Sequence, residues 1–332
     1  MKAQIIKILK IVIPLGIGVY LSWYFYSNLS EEEKSGIPKA FANANYFWVV
    51  LSLAIAWLSH FSRAYRWKFM LEPLGFKPKI SSLYHSVMIG YIINLTVPRS
   101  GELARAGFLS KKENLPVETV FGTIVAERVI DVIMLGIVTL TTYFVVGQAK
   151  INQITSQGQQ GEESFPWLYV IAGSVMVLGV LALIISKKLR SIFISKLKGM
   201  WVGVKTIFTL KKKIQYIAHT LFIWIAYVVM FWVCAQGISG VDGMTMETML
   251  ACFVVGAVAI AITPGGIGVY PVFVTSALVK IGGFGESDAS GFAILMWVIQ
   301  TGFLVVFGLY SLYAIKLKFS ETKSLEPSQE TV

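Results

Sequence analysis

The sequence predicts an all-α polytopic membrane protein with about six spanning helices plus two re-entrant helical hairpins in inverted repeats. The first observation behind this is composition. Of 332 residues, 55% are hydrophobic and only 14% charged, whereas a soluble domain carries about a quarter charged residues. The second is length. Six apolar stretches, roughly 8–27, 46–66, 118–147, 166–186, 214–236 and 290–315, reach the about 20 residues a spanning helix needs. The third is a pair of broken stretches. Leu83 to Pro98 is followed by the more polar Arg99 to Ser110. Glu247 to Ile262 is interrupted at Thr263-Pro264-Gly265-Gly266-Ile267-Gly268 and resumes to Ile281. Each reads as a hairpin that enters the membrane, turns at Pro and Gly, and leaves on the same side. Such irregular backbone requires protein or a polar cavity around it.

The first stretch follows Lys2, Lys7 and Lys10. No small-residue cleavage site follows Ile11 to Tyr26, so it reads as a retained helix rather than a signal peptide. Those lysines place the N-terminus in the cytoplasm, and Glu31, Glu32 and Glu33 fall in the first outer loop. Arg63, Arg66, Lys68, Lys77, Lys79, Lys111 and Lys112 lie inside, and the polar 148–165 loop lies outside. The most basic loop, 187–213, is again cytoplasmic, as are Lys316, Lys318 and the C-terminus. Six spans and two hairpins satisfy all of these signs. The net charge of +11 is thereby explained by short basic loops against anionic headgroups, without a nucleic-acid partner. Residues 1–319 read as a single integral membrane domain, with 320–332 a polar, disordered cytoplasmic tail. The expected location is the bacterial cytoplasmic membrane.

The order span, hairpin, span occurs over 46–147 and again over 214–315. The charge signs bring the first hairpin in from the cytoplasm and the second from outside, so the units are inverted. Inverted repeats with broken helices in matching places point to a transporter site at the repeat interface.

The first hairpin reads Asn94-Leu-Thr-Val-Pro98-Arg99-Ser100-Gly101-Glu102-Leu-Ala-Arg105. Pro98 stops the incoming helix, Ser100 is placed to cap the outgoing one, and Glu102 lies in its first turn. These residues form either a capped helix at the cytoplasmic face or an anion site. In the second reading the helix N-terminus, Arg99 and Arg105 hold phosphate. The span 118–147 carries Glu127-Arg128-Val-Ile-Asp131, roughly 14–20 Å from its start at 1.5 Å per residue. Glu127 and Asp131 share a face, and Arg128 and Asp131 can pair. Charges at that depth must face a polar interior. They are either a structural ion-pair network or a polar wall of a headgroup pathway. Arg63 and Arg66, followed by Trp67, end the second span. They read as snorkelling interfacial anchors or as recruiters of an anionic headgroup. The second hairpin tip, with Pro264, Gly265, Gly266, Gly268, Tyr270 and Pro271, reads as glycine-mediated packing or as a second helix N-terminus facing the same cavity.

Cys234 and Cys252 sit in apolar stretches and read as small buried hydrophobes. His60, His85 and His219 lack metal-ligand spacing and read as interfacial or satisfied. No metal or cofactor is expected. No serine-elbow, metalloprotease or phosphate-loop signature occurs.

The combination of Asn94, Pro98, Arg99, Ser100, Gly101, Glu102 and Arg105, then Glu127-Arg128 and Asp131, then Pro264-Gly265-Gly266-Ile267-Gly268 resembles a known family. It is similar to the membrane region of lysylphosphatidylglycerol synthases, also found as stand-alone flippase-like proteins of bacteria and archaea. Arg63, Arg66 and Trp67 are similar to that family's start, and the resemblance covers roughly 45–315. It implies spanning helices with re-entrant hairpins and lipid translocation between leaflets. Some relatives are linked to polyprenyl-phosphate sugar pathways. Two departures stand out. The first hairpin is one residue shorter than the family's Pro-x-Arg-x-Gly-Glu, so Arg99 does not inherit the family arginine's role by alignment alone. Pro271 stands where the family usually has a glutamate, so no acid/base role carries over there. The family's soluble aminoacyl-transferase domain is absent from this sequence, so lysine transfer is not expected.

The expected activity is transport of an amphiphile with a phosphate-containing headgroup, either a phospholipid or a polyprenyl phosphate. Arg63, Arg66, Arg99, Arg105 and Arg128 would meet phosphate. Glu102, Glu127 and Asp131 would balance them or bind an amine. One alternative is a membrane transferase using a polyprenyl-phosphate donor. Another is an accessory subunit that holds a partner synthase through the basic loop.

Overall fold

The computed structural model describes residues 29–97, 100–157 and 210–324, together with Tyr20, Trp23, Tyr24, Tyr26 and Ser27. Apart from those few residues, the span expected at 8–27 lies outside the described residues. So do the span expected at 166–186, Pro98, Arg99 and most of the basic 187–213 loop. Among the described residues the regular structure is helical: α1 (Glu31–Asn43), α2 (Tyr46–Leu71), α3 (Ile80–Thr96), α4 (Gly101–Glu113), α5 (Val117–Gln157), α6 (Lys213–Ala235), α7 (Met246–Ile262), α8 (Val269–Lys280) and α9 (Glu286–Ser324). Single 3₁₀ turns follow α2 at Glu72–Leu74 and α7 at Pro264–Gly266.

Four segments are long and apolar enough to cross a membrane: Tyr46–Leu74, Val117–Gly147, Lys213–Ala235 and Glu286–Ala314. They match the four expected spans that fall among the described residues, and the protein is an all-α polytopic membrane protein. Two boundaries differ from expectation. Residues 148–157, read as outer loop, continue α5 beyond a break at Gly147, where φ is +74°. The final helix runs to Ser324, so residues 320–324 of the stretch read as disordered are helical.

The chain divides into two compact units, Met1–Ile124 with Ile214–Val332, and Val125–Lys213. In the first unit, α2 starts at Asn45, whose Oδ1 accepts the Phe47 N–H at 3.1 Å, the usual answer to an orphan donor at a helix start. α3 and α4 pack as a helix–turn–helix, and so do α7 and α8. The first crossing is close because Gly90 faces Gly101: a Cβ on Gly101 would collide with the Gly90 carbonyl oxygen. The second uses Gly256, where a Cβ would lie 2.7 Å from the Tyr270 ring. α9 is the shared support. It packs against α1, α3 and α8, with Gly308 against Ile92 and Gly291 against Ala40. Its core with α6, α7 and α8 includes Phe231, Met249, Val274, Leu278, Phe292 and Met296. Phe231 and Phe292 meet edge-on at 5.3 Å. Cys234 and Cys252 are buried free thiols within that core.

The tip between α7 and α8 rests on α3. Gly265 lies against Leu95, 2.5 Å from where its Cβ would be. Trp297 of α9 donates its Nε1–H to the Gly265 carbonyl at 2.8 Å. The two interrupted segments therefore touch each other through α3.

In the second unit the described residues are the bulk of α5, Val125–Gln157, and the short stretch from Leu210 to Lys213.

Candidate functional site

The buried stripe of α2 is unusual for a membrane helix. Ser52, Ala56, Ser59, His60, Arg63, Arg66, Trp67 and Met70 recur at three- and four-residue spacing and are all buried, which defines one packed face. Arg63 is 3% exposed, and Arg66 and Trp67 are 0% exposed. This corrects the snorkelling reading of Arg63, Arg66 and Trp67. A snorkelling side chain keeps its charged head in water, whereas these heads are enclosed by aromatic rings and hydroxyls of neighbouring helices.

Across from α2, the antiparallel α6 supplies those groups. Arg66 donates from Nη1 to Thr220 Oγ1 at 3.0 Å, and its guanidinium sits 5.3 Å from the Tyr216 ring centre. Thr220 accepts this bond while donating its own hydroxyl hydrogen to the Tyr216 carbonyl, so its orientation is fixed. Arg63 reaches the Tyr227 hydroxyl at 3.4 Å. Ser62 and His219 Nδ1 share a 2.8 Å hydrogen bond. A line of polar contacts thus runs along the α2–α6 seam.

Arg105, on α4, joins the same cluster from another side. It is 3% exposed, and its guanidinium lies 3.8 Å from the centre of the Trp67 ring, a close cation–π stack. Trp67 is itself held, donating Nε1–H to Thr123 Oγ1 at 2.8 Å. Thr123, near the start of α5, passes its hydroxyl hydrogen to the Val120 carbonyl. Arg63, Arg66 and Arg105 are therefore brought to one buried region by α2, α4 and α6.

The turn between α3 and α4 is built differently from expectation. Ser100 does not cap α4. It has helical backbone angles, φ −87° and ψ −16°, unlike the extended N-cap geometry. Its hydroxyl turns back to the Val97 carbonyl at 2.7 Å. The capping group is Asn94, whose Oδ1 accepts the Gly101 N–H at 2.8 Å. Asn94 Nδ2 also approaches Glu102 Oε2, at 3.5 Å. The Gly101 amide, expected to face an anion, is thus taken by a side chain. At the other tip, Gly265, Gly266 and Gly268 adopt φ of +60°, +76° and +74°, conformations that favour glycine. Pro264 ends the preceding helix, and Tyr270 is buried against Gly256.

In the second unit, Arg128 and Asp131 form the expected i, i+3 ion pair at 3.6 Å, and Glu127 is 0% exposed.

Several participants were not singled out from sequence. Thr220, Tyr227, Tyr216 and Thr123 look like ordinary residues of apolar helices, and only the α2–α6 register reveals them. His219 and His85 are satisfied by Ser62 and Ser311, in line with the default reading of histidines. His60 is not: its Nδ1 is buried without a hydrogen-bond partner.

The lysylphosphatidylglycerol synthase TM region family matches residues 11–308. The chain belongs to that family. It is also similar to the UPF0104 membrane protein of Methanocaldococcus jannaschii, at 34% identity over 114 residues. That alignment covers 33% of this chain and 33% of the relative, so it spans a third of the relative's length. No solved structure matches the chain. Family and spans together make this a multi-pass membrane protein, and a lipid-related role in the membrane fits both.

Proposed function

We propose that the protein is a flippase-like transporter that moves an amphiphile with a phosphate-containing headgroup between leaflets of a bacterial cytoplasmic membrane. The observation that carries this reading is the burial of Arg63, Arg66 and Arg105 in one region of a membrane protein. Insertion scales place the cost of an arginine at the bilayer centre at about 2.5–3.5 kcal/mol. Three such residues oppose insertion by roughly the amount that stabilises a whole domain. Charges kept at that cost mark polar pathways, and guanidinium groups suit phosphate because they grip it with two parallel hydrogen bonds.

The helix lengths support re-entry. α3 has 17 residues, α4 has 13, α7 has 17 and α8 has 12. At 1.5 Å per residue these are about 18–26 Å long, short of the roughly 30 Å hydrocarbon core. On this reading both pairs turn inside the bilayer, N- and C-termini are cytoplasmic, and the two repeat units rock against each other to alternate access. The headgroup moves past the arginines while its tails stay in lipid. Glu102 balances the cationic groups of the first unit, and Asp131 pairs with Arg128 in the second.

The test is leaflet exchange in proteoliposomes holding a panel of labelled lipids with different headgroups. Quenching from outside reports the fraction exchanged. We expect headgroup-selective exchange by wild type, reduced at least about tenfold by Arg66→Gln, Arg105→Gln, Glu102→Gln and Arg128→Ala. Folded wild-type protein that exchanges no lipid would overturn the proposal. Headgroup transfer from a polyprenyl-phosphate donor in detergent would then favour the transferase.

A further inference from the structure

His60 lies on α2 one turn before Arg63, on the same buried stripe, and is 7% exposed. Rings from three other helices wall its imidazole. Tyr91 of α3 is at 4.9 Å, Phe303 of α9 stacks at 5.8 Å with 27° between planes, and Tyr227 of α6 is at 6.1 Å. Its Nδ1 is buried with no hydrogen-bond partner. A buried donor or acceptor left unsatisfied costs about 1–3 kcal/mol, so such a group in a native protein calls for an explanation. The contrast with His219 and His85 is informative, since each of those has a hydroxyl partner.

The location is specific. α2 and α3 belong to the first repeat unit and α6 and α9 to the second, so His60 sits where the repeats meet. It lies about 21 Å along α2 from Tyr46, and Tyr227 lies about 21 Å along the antiparallel α6 from Lys213. Both positions are near the middle of their helices, the level at which inverted-repeat transporters bind substrate. Tyr227 also connects the imidazole to Arg63, whose Nη2 donates to the same hydroxyl at 3.4 Å. The ligand chemistry follows from these neighbours. An aromatic box alone would suit a quaternary ammonium, but an arginine at its edge repels a cation. An imidazole N–H beside a guanidinium suits a phosphate oxygen.

We infer that His60 is a headgroup-binding residue whose Nδ1–H donates to a phosphate oxygen of the lipid while Arg63 grips the same phosphate. This inference rests on the transport reading above and names a contact within it. Tyr91, Tyr227 and Phe303 act as positioning residues that set the ring.

The experiment uses the purified full-length chain in neutral detergent. It is titrated with dihexanoyl phosphatidic acid in one arm and inorganic phosphate in the other, with the unfolding midpoint as readout. His60→Phe keeps a ring in the box and removes both nitrogens. His60→Leu serves in its place if the larger ring does not yield folded protein. His60→Asn restores an N–H near the Nδ1 position. We expect phosphatidic acid to raise the wild-type midpoint. His60→Phe should weaken the apparent affinity about tenfold without lowering the midpoint of the unliganded protein, and His60→Asn should recover part of the loss. A response to phosphatidic acid that His60→Phe leaves unchanged would overturn the role of His60 while leaving the arginines as the anion site. An equal response to inorganic phosphate would overturn the assignment to a lipid headgroup. No wild-type response in either arm would also overturn the inference. Leaflet exchange still observed in vesicles would then show that the transport reading survives it.

Discussion

The α3–α4 and α7–α8 segments share an architecture, with incoming helices of 17 residues each and outgoing helices of 13 and 12. Their turns are closed by opposite means. The first is closed by a side chain, Asn94 on the Gly101 amide, and the chain around it carries Arg99, Glu102 and Arg105. The second is closed by backbone, with three glycines at positive φ and an external hydrogen bond from Trp297. No charged residue occurs between Thr248 and Val279. The same division separates α2 from α6, one contributing arginines and the other the hydroxyls and rings that receive them. Among the described residues α2 and the α3–α4 segment thus carry the charge, while α6 and the α7–α8 segment supply partner groups and packing. The glycine-rich tip is closed by packing and backbone conformation, and the tip at Asn94 by a polar side chain.

The comparison can be broken most forcefully at the first crossing. Gly101→Ala would push a methyl group into the Gly90 carbonyl and Asn94. Because a backbone carbonyl cannot move aside, the expected cost is about 3 kcal/mol, at the upper end for overpacking. Gly107→Ala lies on the same helix facing open space and should be neutral or stabilising by up to about 1 kcal/mol. Thermal unfolding in detergent compares the two, and equal midpoints would mean that the crossing is looser than described.

A smaller effect is expected at the guanidinium–indole stack. Arg105→Lys keeps the charge but loses the planar overlap with Trp67, at about 1–2 kcal/mol. A double-mutant cycle with Trp67→Phe should return a coupling of similar size, and additivity of the two changes would remove the stack as a contributor.

The smallest pair sharpens the division of work itself. Trp297→Phe removes the donor to Gly265, and Asn94→Ala removes the acceptor of the Gly101 amide. Each should cost about 1 kcal/mol in stability. Only Asn94→Ala should also slow lipid exchange in vesicles. Equal losses of exchange would assign both tips to the pathway.

The spans at 46–66, 118–147, 214–236 and 290–315 were legible because an uninterrupted apolar run of that length has few alternatives. Their ends were less so. The last begins at Glu286, because acidic Glu286 and Asp288 suit a helix N-terminus although they lower local hydropathy. α1 was hidden by its polar composition and Pro38. The glycine tip was legible because Pro264 followed by Gly265 and Gly266 has few uses inside an apolar segment. At the candidate site, Arg63, Arg66 and Arg105 could be named but not placed. Whether an arginine at the end of a span snorkels or is buried depends on what faces it, and Thr220 and Tyr227 lie over 150 positions away. Asn94 stands out as a polar residue ahead of Pro98, but its capping of Gly101 does not, because Ser100 is the usual N-cap by position and residue type. The surroundings of His60 are hidden in the sequence because its ring walls come from three separate helices.

The reach of the α2–α6 seam also constrains how the protein is made. Arg66 and Thr220 are 154 residues apart, so at ordinary elongation rates the arginine leaves the ribosome roughly 8–30 s before its partner exists. During that interval α2 is a nascent helix with charge on its inward stripe and no α6 to cover it. The insertion machinery, or an amphipathic chaperone in the membrane, must shelter that stripe until the second half arrives. The α2–α6 contacts therefore form late, and chains arrested before residue 213 should be prime substrates for membrane proteases.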